Sequence, residues 1–286
     1  SWFTQELERG HHYCTFSIFE NNLVFKAIDH EGRLFDQFQM VKNQNNTDRS
    51  TIIQPPAPKI EANQTLFEEK TTVSLHALNA DYSIRYTTDG SRPNLNSALY
   101  TGPLEISAST LLQACAYTPD GKVSRVAQLS LTQTKPEDAT QVQHPERGLY
   151  YRYFEGNWDS LPNFENLIPE KKGHILQVGL NQIQHTEDQF GLVLEGFVDI
   201  SRDGLHTFFI NSDDGSKLYL NDRLLIDHDG DHSAIAKKGQ ALLKKGKHRL
   251  RIEYMERRGS QFLQAGIVDP EKGVMPFGPF MLYRNR

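Results

Sequence analysis

Apolar and polar residues alternate in short runs along almost the whole chain. HYCTFSIF, NLVFKAID and RLFDQFQMV come first. TVSLHAL, YSIRYTT, LLQACAY and AQLSLT follow. GLYYRYF, FGLVLEGFVDI, LHTFFINS, KLYLN, RLLIDH, HRLRIEYME and FLQAGIV fill the last half. A period of two sends successive side chains to opposite faces, so each run reads as a strand with one buried face. Turn residues separate them at Asn21-Asn22, His30-Glu31-Gly32, Asp89-Gly90, Gly102-Pro103 and Asp120-Gly121. Gly and Asn tolerate the positive φ that tight hairpins need. Only WFTQELERG, near the N-terminus, reads as a short helix. The predicted class is all-β.

Polar and proline-rich stretches cut this pattern twice, at KNQNNTDRST with IIQPPAPKI and at TQTKPEDATQVQHPE. The expected organisation is therefore a small antiparallel meander at 1–44, a linker at 45–56, a β-sandwich at 57–132, a second linker at 133–146, and a β-sandwich or barrel at 147–286. The meander is too small to bury a core alone and is expected to pack on something else. The chain opens at Ser1-Trp2-Phe3 without an initiator Met, so it reads as a piece of a longer protein.

Composition narrows the function classes. The 286 residues carry 31 basic and 36 acidic groups, a net charge of −5, which gives no reason to expect a nucleic-acid partner. No stretch reaches the ~18 apolar residues of a membrane helix. Cys14 and Cys115 sit in apolar runs and read as buried free thiols. No Cys/His spacing suggests zinc, and no GxSxG, Walker or HExxH motif is present.

Three resemblances come from ordered sets of residues. GLYYRYFEGNWDSLPNF, then FGLVLEGFVDISRDGLHTFFINSDDGSKLYLNDRLLIDHDGDH, then KKGKHRLRIEYMERRGSQFL resemble the PA14 domain, a β-barrel module, across 147–286. YTTDGSRPNLNSALYTGPLEI with LLQACAYTPDGKVSRVA resembles the fibronectin-like C-terminal domain of chitobiases and hexosaminidases, which is an accessory to a catalytic domain. GHHYCTFSIFENNLVFKAIDHEGRLFDQF resembles the closing strands of secreted calcineurin-like metallophosphoesterases. That third resemblance implies a two-metal hydrolase upstream. The sequence departs from it in lacking every metal-ligand motif of the family, and His11-His12 find nothing to complete a site.

The stretch Ser212-Asp213-Asp214-Gly215 leaves two readings open. Calcium takes six to eight oxygen ligands. Adjacent residues of a regular strand point apart, so Asp213 and Asp214 can share one ion only where the backbone leaves β geometry, as a cis peptide allows. In carbohydrate-binding PA14 members, fungal adhesins among them, such a pair holds calcium and the calcium holds sugar hydroxyls. The resemblance assigns Asp213 and Asp214 to that role by position. The other reading is an ordinary turn, with Asp capping it and Gly215 at positive φ.

The loop Asp227-His228-Asp229-Gly230-Asp231-His232 is too short for an EF-hand. Folded back, Asp227 or Asp229 would add calcium oxygens, and Asp229 and His232 would reach the ligand. Its other reading is a solvated turn. The adhesins' later ligands include an Asn, and 227–232 holds none. Trp158 reads either as a platform for sugar C–H faces or as a residue closing the barrel. Glu256-Arg257-Arg258-Gly259-Ser260 reads as a charged hairpin tip beside the ligand face.

The expected function is a non-catalytic carbohydrate-binding or accessory region of a secreted hydrolase, the parent being a metallophosphoesterase. Glycan or cell-envelope polysaccharide and the upstream catalytic domain are the expected partners, and the expected location is extracytoplasmic. One alternative is a structural spacer that docks on the catalytic domain. Another is a hexosaminidase-like glycoside hydrolase as parent. Catalysis by Asp214 with Asp229 or Glu253 is the weakest reading, because no family suggested by the resemblance works that way.

Overall fold

The computed structural model describes residues 12–19, 22–29, 34–41 and 55–286. The stretch read as a helix, 2–10, and most of the first linker lie outside the described residues. Among those residues there is no α-helix, and one 3₁₀ turn, Phe164–Asn166, interrupts the strands. Among the described residues no helix is long and apolar enough to cross a membrane. The chain is all-β, in several sheets. It divides into two units, 1–133 and 134–286.

In the first unit, His12–Phe19, Asn22–Asp29 and Leu34–Val41 form a three-stranded antiparallel sheet. His12–Phe19 is an edge strand, and Tyr13, Cys14, Phe16 and Ile18 along it are exposed. Cys14 is therefore not the buried thiol its apolar run suggested, because an edge strand of a single layer presents both faces. Cys115 is buried, and desolvation pushes its thiol above the ordinary range. A five-stranded and a three-stranded sheet follow. Phe67, Val73, Leu75, Ile84, Leu112 and Leu131 from both make one core. At Asp89-Gly90 the aspartate accepts from Ser91 N at 2.9 Å and Gly90 takes φ 78°.

The second unit has an eight-stranded and a four-stranded sheet. The four-stranded sheet runs Ile235–Leu243, Gly204–Asp213, Phe262–Asp269, Gly273–Pro276. In the larger sheet, Phe190–Ile200 and Gly246–Glu256 pair along eleven residues, from Phe190 opposite Glu256 to Ile200 opposite Gly246. Ser216–Leu220 and Arg223–His228 extend it on one side, and Leu149–Glu155 pairs Phe190–Ile200 on the other. Leu192, Leu194, Ile252 and Tyr254 of this sheet meet Phe208, Ile210 and Ala265 of the smaller one in a single core. The alternation in FGLVLEGFVDI and LHTFFINS encodes that shared face.

Two features position the site. Residues 137–140, read as linker from their polarity, are held on this unit. Glu137 N donates to Leu242 O at 2.9 Å, Thr140 N to Lys247 O at 2.7 Å, and Asn221 Nδ2 to the Glu137 carboxylate at 2.7 Å. A second small core, Phe154, Phe164 and Val193 with Trp158 and Leu161, lies outside the large sheet. Asn163 opens its 3₁₀ turn by accepting from Glu165 N.

Candidate metal site

Strand Gly204–Asp213 belongs to the smaller sheet and Ser216–Leu220 to the larger, so the chain changes sheets across Asp214 and Gly215. The hydroxyls of Ser212 and Ser216, both buried, meet at 2.7 Å across this step. The Asp213–Asp214 peptide is cis. Tyr254 stands opposite Ser216, which brings Glu256, at the end of its strand, to the same edge. One carboxylate oxygen from each of Asp213, Asp214 and Glu256 lies within 4.8 Å of the others.

The ordinary-turn reading does not describe this geometry. Asp214 caps nothing local: its Oδ1 accepts from His232 N at 3.1 Å and its Oδ2 from Arg257 N at 3.0 Å. Gly215 does not take positive φ. A Cβ there would stand 3.0 Å from Gly230 N and O and 3.1 Å from Met255 Cε, so a larger residue would push on the Gly230 backbone by a few tenths of an ångström.

Asp214 and Glu256 are 2% and 1% exposed, while Asp213 is half-buried and keeps the cluster open to solvent. Burial and the charges of Asp214 and Asp213 push the Glu256 carboxyl up to about 7, against the hydrogen bond with Tyr254. Burial, then the Asp214 charge, holds Asp213 above its ordinary range. The Tyr254 hydroxyl lies 2.5 Å from the Asp213 carbonyl oxygen and 3.0 Å from Glu256 Oε2. Its one proton is shared between these two acceptors. Glu256 Oε1 is buried with no hydrogen-bond partner.

The sign of the pH effect follows. A carboxyl whose value rises on folding binds more protons folded than unfolded between about 4.5 and 7. The Glu256 contribution to metal-free stability should therefore fall as pH rises through that window, by on the order of 2–3 kcal/mol. Because buried His228, lowered to about 4, acts in the opposite direction, the measurement is the difference between wild type and Glu256→Gln in urea unfolding in chelator at pH 5 and pH 8; the same difference at both would show that Glu256 is not raised.

The remaining predicted site residues go elsewhere. Asp229 is not in the cluster. Its Oδ1 accepts from Leu161 N at 2.7 Å and from Gly230 N at 2.9 Å, and its Oδ2 pairs with Lys217 at 2.9 Å. Burial would raise this carboxyl, but those bonds outweigh it and hold it low. Asp227, exposed, accepts from Asp229 N at 3.2 Å within its own turn. His232 contributes its backbone N–H to Asp214, while both ring nitrogens face carbonyl oxygens, of Ser233 and His228, at 3.1 Å.

Trp158 is half-buried, edge-on to Phe164 at 6.0 Å, and its ring fills the space a Cβ on Gly156 would need. It closes the second core. Trp158→Ala should cost about 2 kcal/mol in urea unfolding and leave metal affinity unchanged; a lost metal site would contradict that placement. Glu256 was missed as a ligand because its run reads as a strand end followed by a charged tip.

Calcium, a hard cation, fits this donor set: three carboxylates converge, and one oxygen is buried without a partner. Each Asp214 oxygen that accepts an N–H keeps a further lone pair.

Residues 146–273 match the PA14 domain, and residues 62–128 match the chitobiase/beta-hexosaminidase C-terminal domain. Among relatives, a beta-hexosaminidase of Porphyromonas gingivalis is 27% identical over 173 residues, 57% of this chain. The match spans 22% of that enzyme's length. Among solved structures, the PA14 domain of the MpAFP antifreeze protein aligns with 52% of this chain and 96% of its own, at 15% identity and a TM-score of 0.42. A PA14 sugar-binding domain from an RTX adhesin aligns with 49% of this chain and 99% of its own, at 15% identity and a TM-score of 0.40.

Proposed function

We propose that residues 134–286 form a calcium-dependent glycan-binding module, itself non-catalytic, that serves a larger hydrolase. The observation that carries this reading is the convergence of Asp213, Asp214 and Glu256 within 4.8 Å at a solvent-open crossover between two sheets. Asp213, Asp214 and Glu256 would hold the ion, and bound calcium would offer open coordination positions to vicinal sugar hydroxyls. The protein's own contribution is orientation. His232 N and Arg257 N fix Asp214, and Arg257, paired with Asp159 at 2.8 Å and Asp231 at 3.1 Å, holds the rim loops together. The resemblance to carbohydrate-binding PA14 members supports the same ligand class.

Neither Asp229 nor Glu253 joins the cluster as a partner to Asp214 for glycoside hydrolysis. Asp229 is engaged by Lys217 and Leu161 N, and Glu253 by Arg251 and Tyr219. As for the parent, the beta-hexosaminidase relative supports a glycoside hydrolase over a metallophosphoesterase. A weak binder tethered to an enzyme raises the local concentration of polysaccharide substrate, and a substrate of that kind supports an extracytoplasmic location.

A glycan array probed in calcium and again in chelator tests the reading. Binding to a set of glycans in calcium, lost in chelator, is expected. The same set bound in both, or nothing bound in either, would overturn it.

A further inference from the structure

The outer face of the large sheet is covered at one end, where Trp158 and Phe164 lie over Phe154 and Val193. Farther along it a cleft opens. Directly paired residues share a face, so Tyr150, Glu195, Arg251 and Tyr219 make one row across four strands. Phe197 and Arg249 make part of the next row. A cleft of about 320 Å³ lies over these rows, with Asp222 and Asn285 at its margin. That is the small end of the ~300–1,000 Å³ of ligand sites. Arg251 and Arg249 stand back along their strand from Glu256, which puts the cleft ~17–24 Å from the carboxylate cluster.

The lining has a definite chemistry. Each guanidinium at the cleft is countered by carboxylates: Arg249 by Asp222 at 3.1 Å, and Arg251 by Glu195 at 3.0 Å and by Glu165 and Glu253 at 2.7 Å each. With neither guanidinium left uncountered, the cleft offers no site for a bare anion. The pairing still leaves oriented N–H groups and lone pairs. A guanidinium has five N–H donors, and the Arg249 side chain is 58% exposed. The ring of Tyr150 is also exposed, and its hydroxyl is fixed by donating to Asn285 O at 2.8 Å. A held aromatic face beside fixed planar donors and acceptors, with no uncountered guanidinium, matches a ligand that has an apolar C–H face and a rim of hydroxyls.

We propose that this cleft is a second, calcium-independent site for a neutral pyranose oligosaccharide. It does not depend on the carboxylate cluster. The test is isothermal titration of the full chain in EDTA with chitopentaose, cellopentaose, laminaripentaose and mannopentaose.

At least one pentaose should bind in EDTA. Tyr150→Ala should weaken it at least about tenfold, Tyr150→Phe less than about threefold, and Asp213→Ala/Asp214→Ala not at all. Should Tyr150→Ala fail to fold, Arg249→Ala at its exposed position carries the test, with about a fivefold loss expected. No pentaose bound by the wild type in EDTA, or binding unchanged in Tyr150→Ala or in folded Arg249→Ala, overturns the proposal. Because chelator silences the calcium site, failure here and failure of the calcium reading are separate results.

Discussion

Glu256→Gln is expected to move stability and calcium affinity in opposite directions. In chelator at pH 8 the variant should be more stable than the wild type by on the order of 2–3 kcal/mol, because a neutral amide replaces a buried carboxyl raised to about 7 beside two aspartates. At pH 5, where the wild-type carboxyl is protonated, the gain should vanish. Calcium affinity should fall at least a hundredfold, since one of three anionic ligands is gone. A turn with no metal role makes no such pairing: the stability gain would appear and calcium would affect neither protein. Urea unfolding with and without calcium at both pH values reads both effects. Loss of stability in chelator at pH 8 would contradict the electrostatic account of the cluster.

Asp214→Ala should cost more. Its two oxygens bind backbone N–H groups of two loops, at His232 and Arg257, positions far apart in sequence. Removing the carboxylate leaves two donors without partners in a partly buried place, worth about 2 kcal/mol together. It also removes a calcium ligand and loosens the loops that frame the site. Asp214→Asn separates the roles. It keeps one acceptor, for one of the two loops, but turns an NH₂ toward the other N–H. Its stability should lie between wild type and Asp214→Ala, with calcium binding lost in both. An alanine variant as stable as wild type would show that the loops do not rely on Asp214.

Much of this could be read from the residues. Alternation in FGLVLEGFVDI and LHTFFINS set the buried faces, because a period of two leaves little choice of register once one face is apolar. Asp213 and Asp214 stood out because they match by position the calcium-holding pair of carbohydrate-binding PA14 members. Their partner was not legible. Glu256 is 42 positions from Asp214, and only the pairing of Ser216 with Tyr254 brings it alongside.

Asp229 shows the reverse error. Three carboxylates in five positions looked like a ligand loop, but Lys217, two positions beyond Gly215, lies across the hairpin and neutralises one of them. The cysteines divide the same way. Cys115 sits on a strand paired on both sides, while Cys14 lies on an edge, and an apolar run does not distinguish the two.

The most direct test of the central claim is a calcium titration by calorimetry at pH 7.5 on the chelator-stripped chain, beside Asp213→Ala/Asp214→Ala. The account predicts one site in the wild type with a dissociation constant on the order of micromolar, within the ~10⁻⁷–10⁻³ M span of protein calcium sites, and no site in the variant. A wild type that takes up no calcium, or a variant that binds it equally well, would contradict the assignment of Asp213, Asp214 and Glu256 as a metal site.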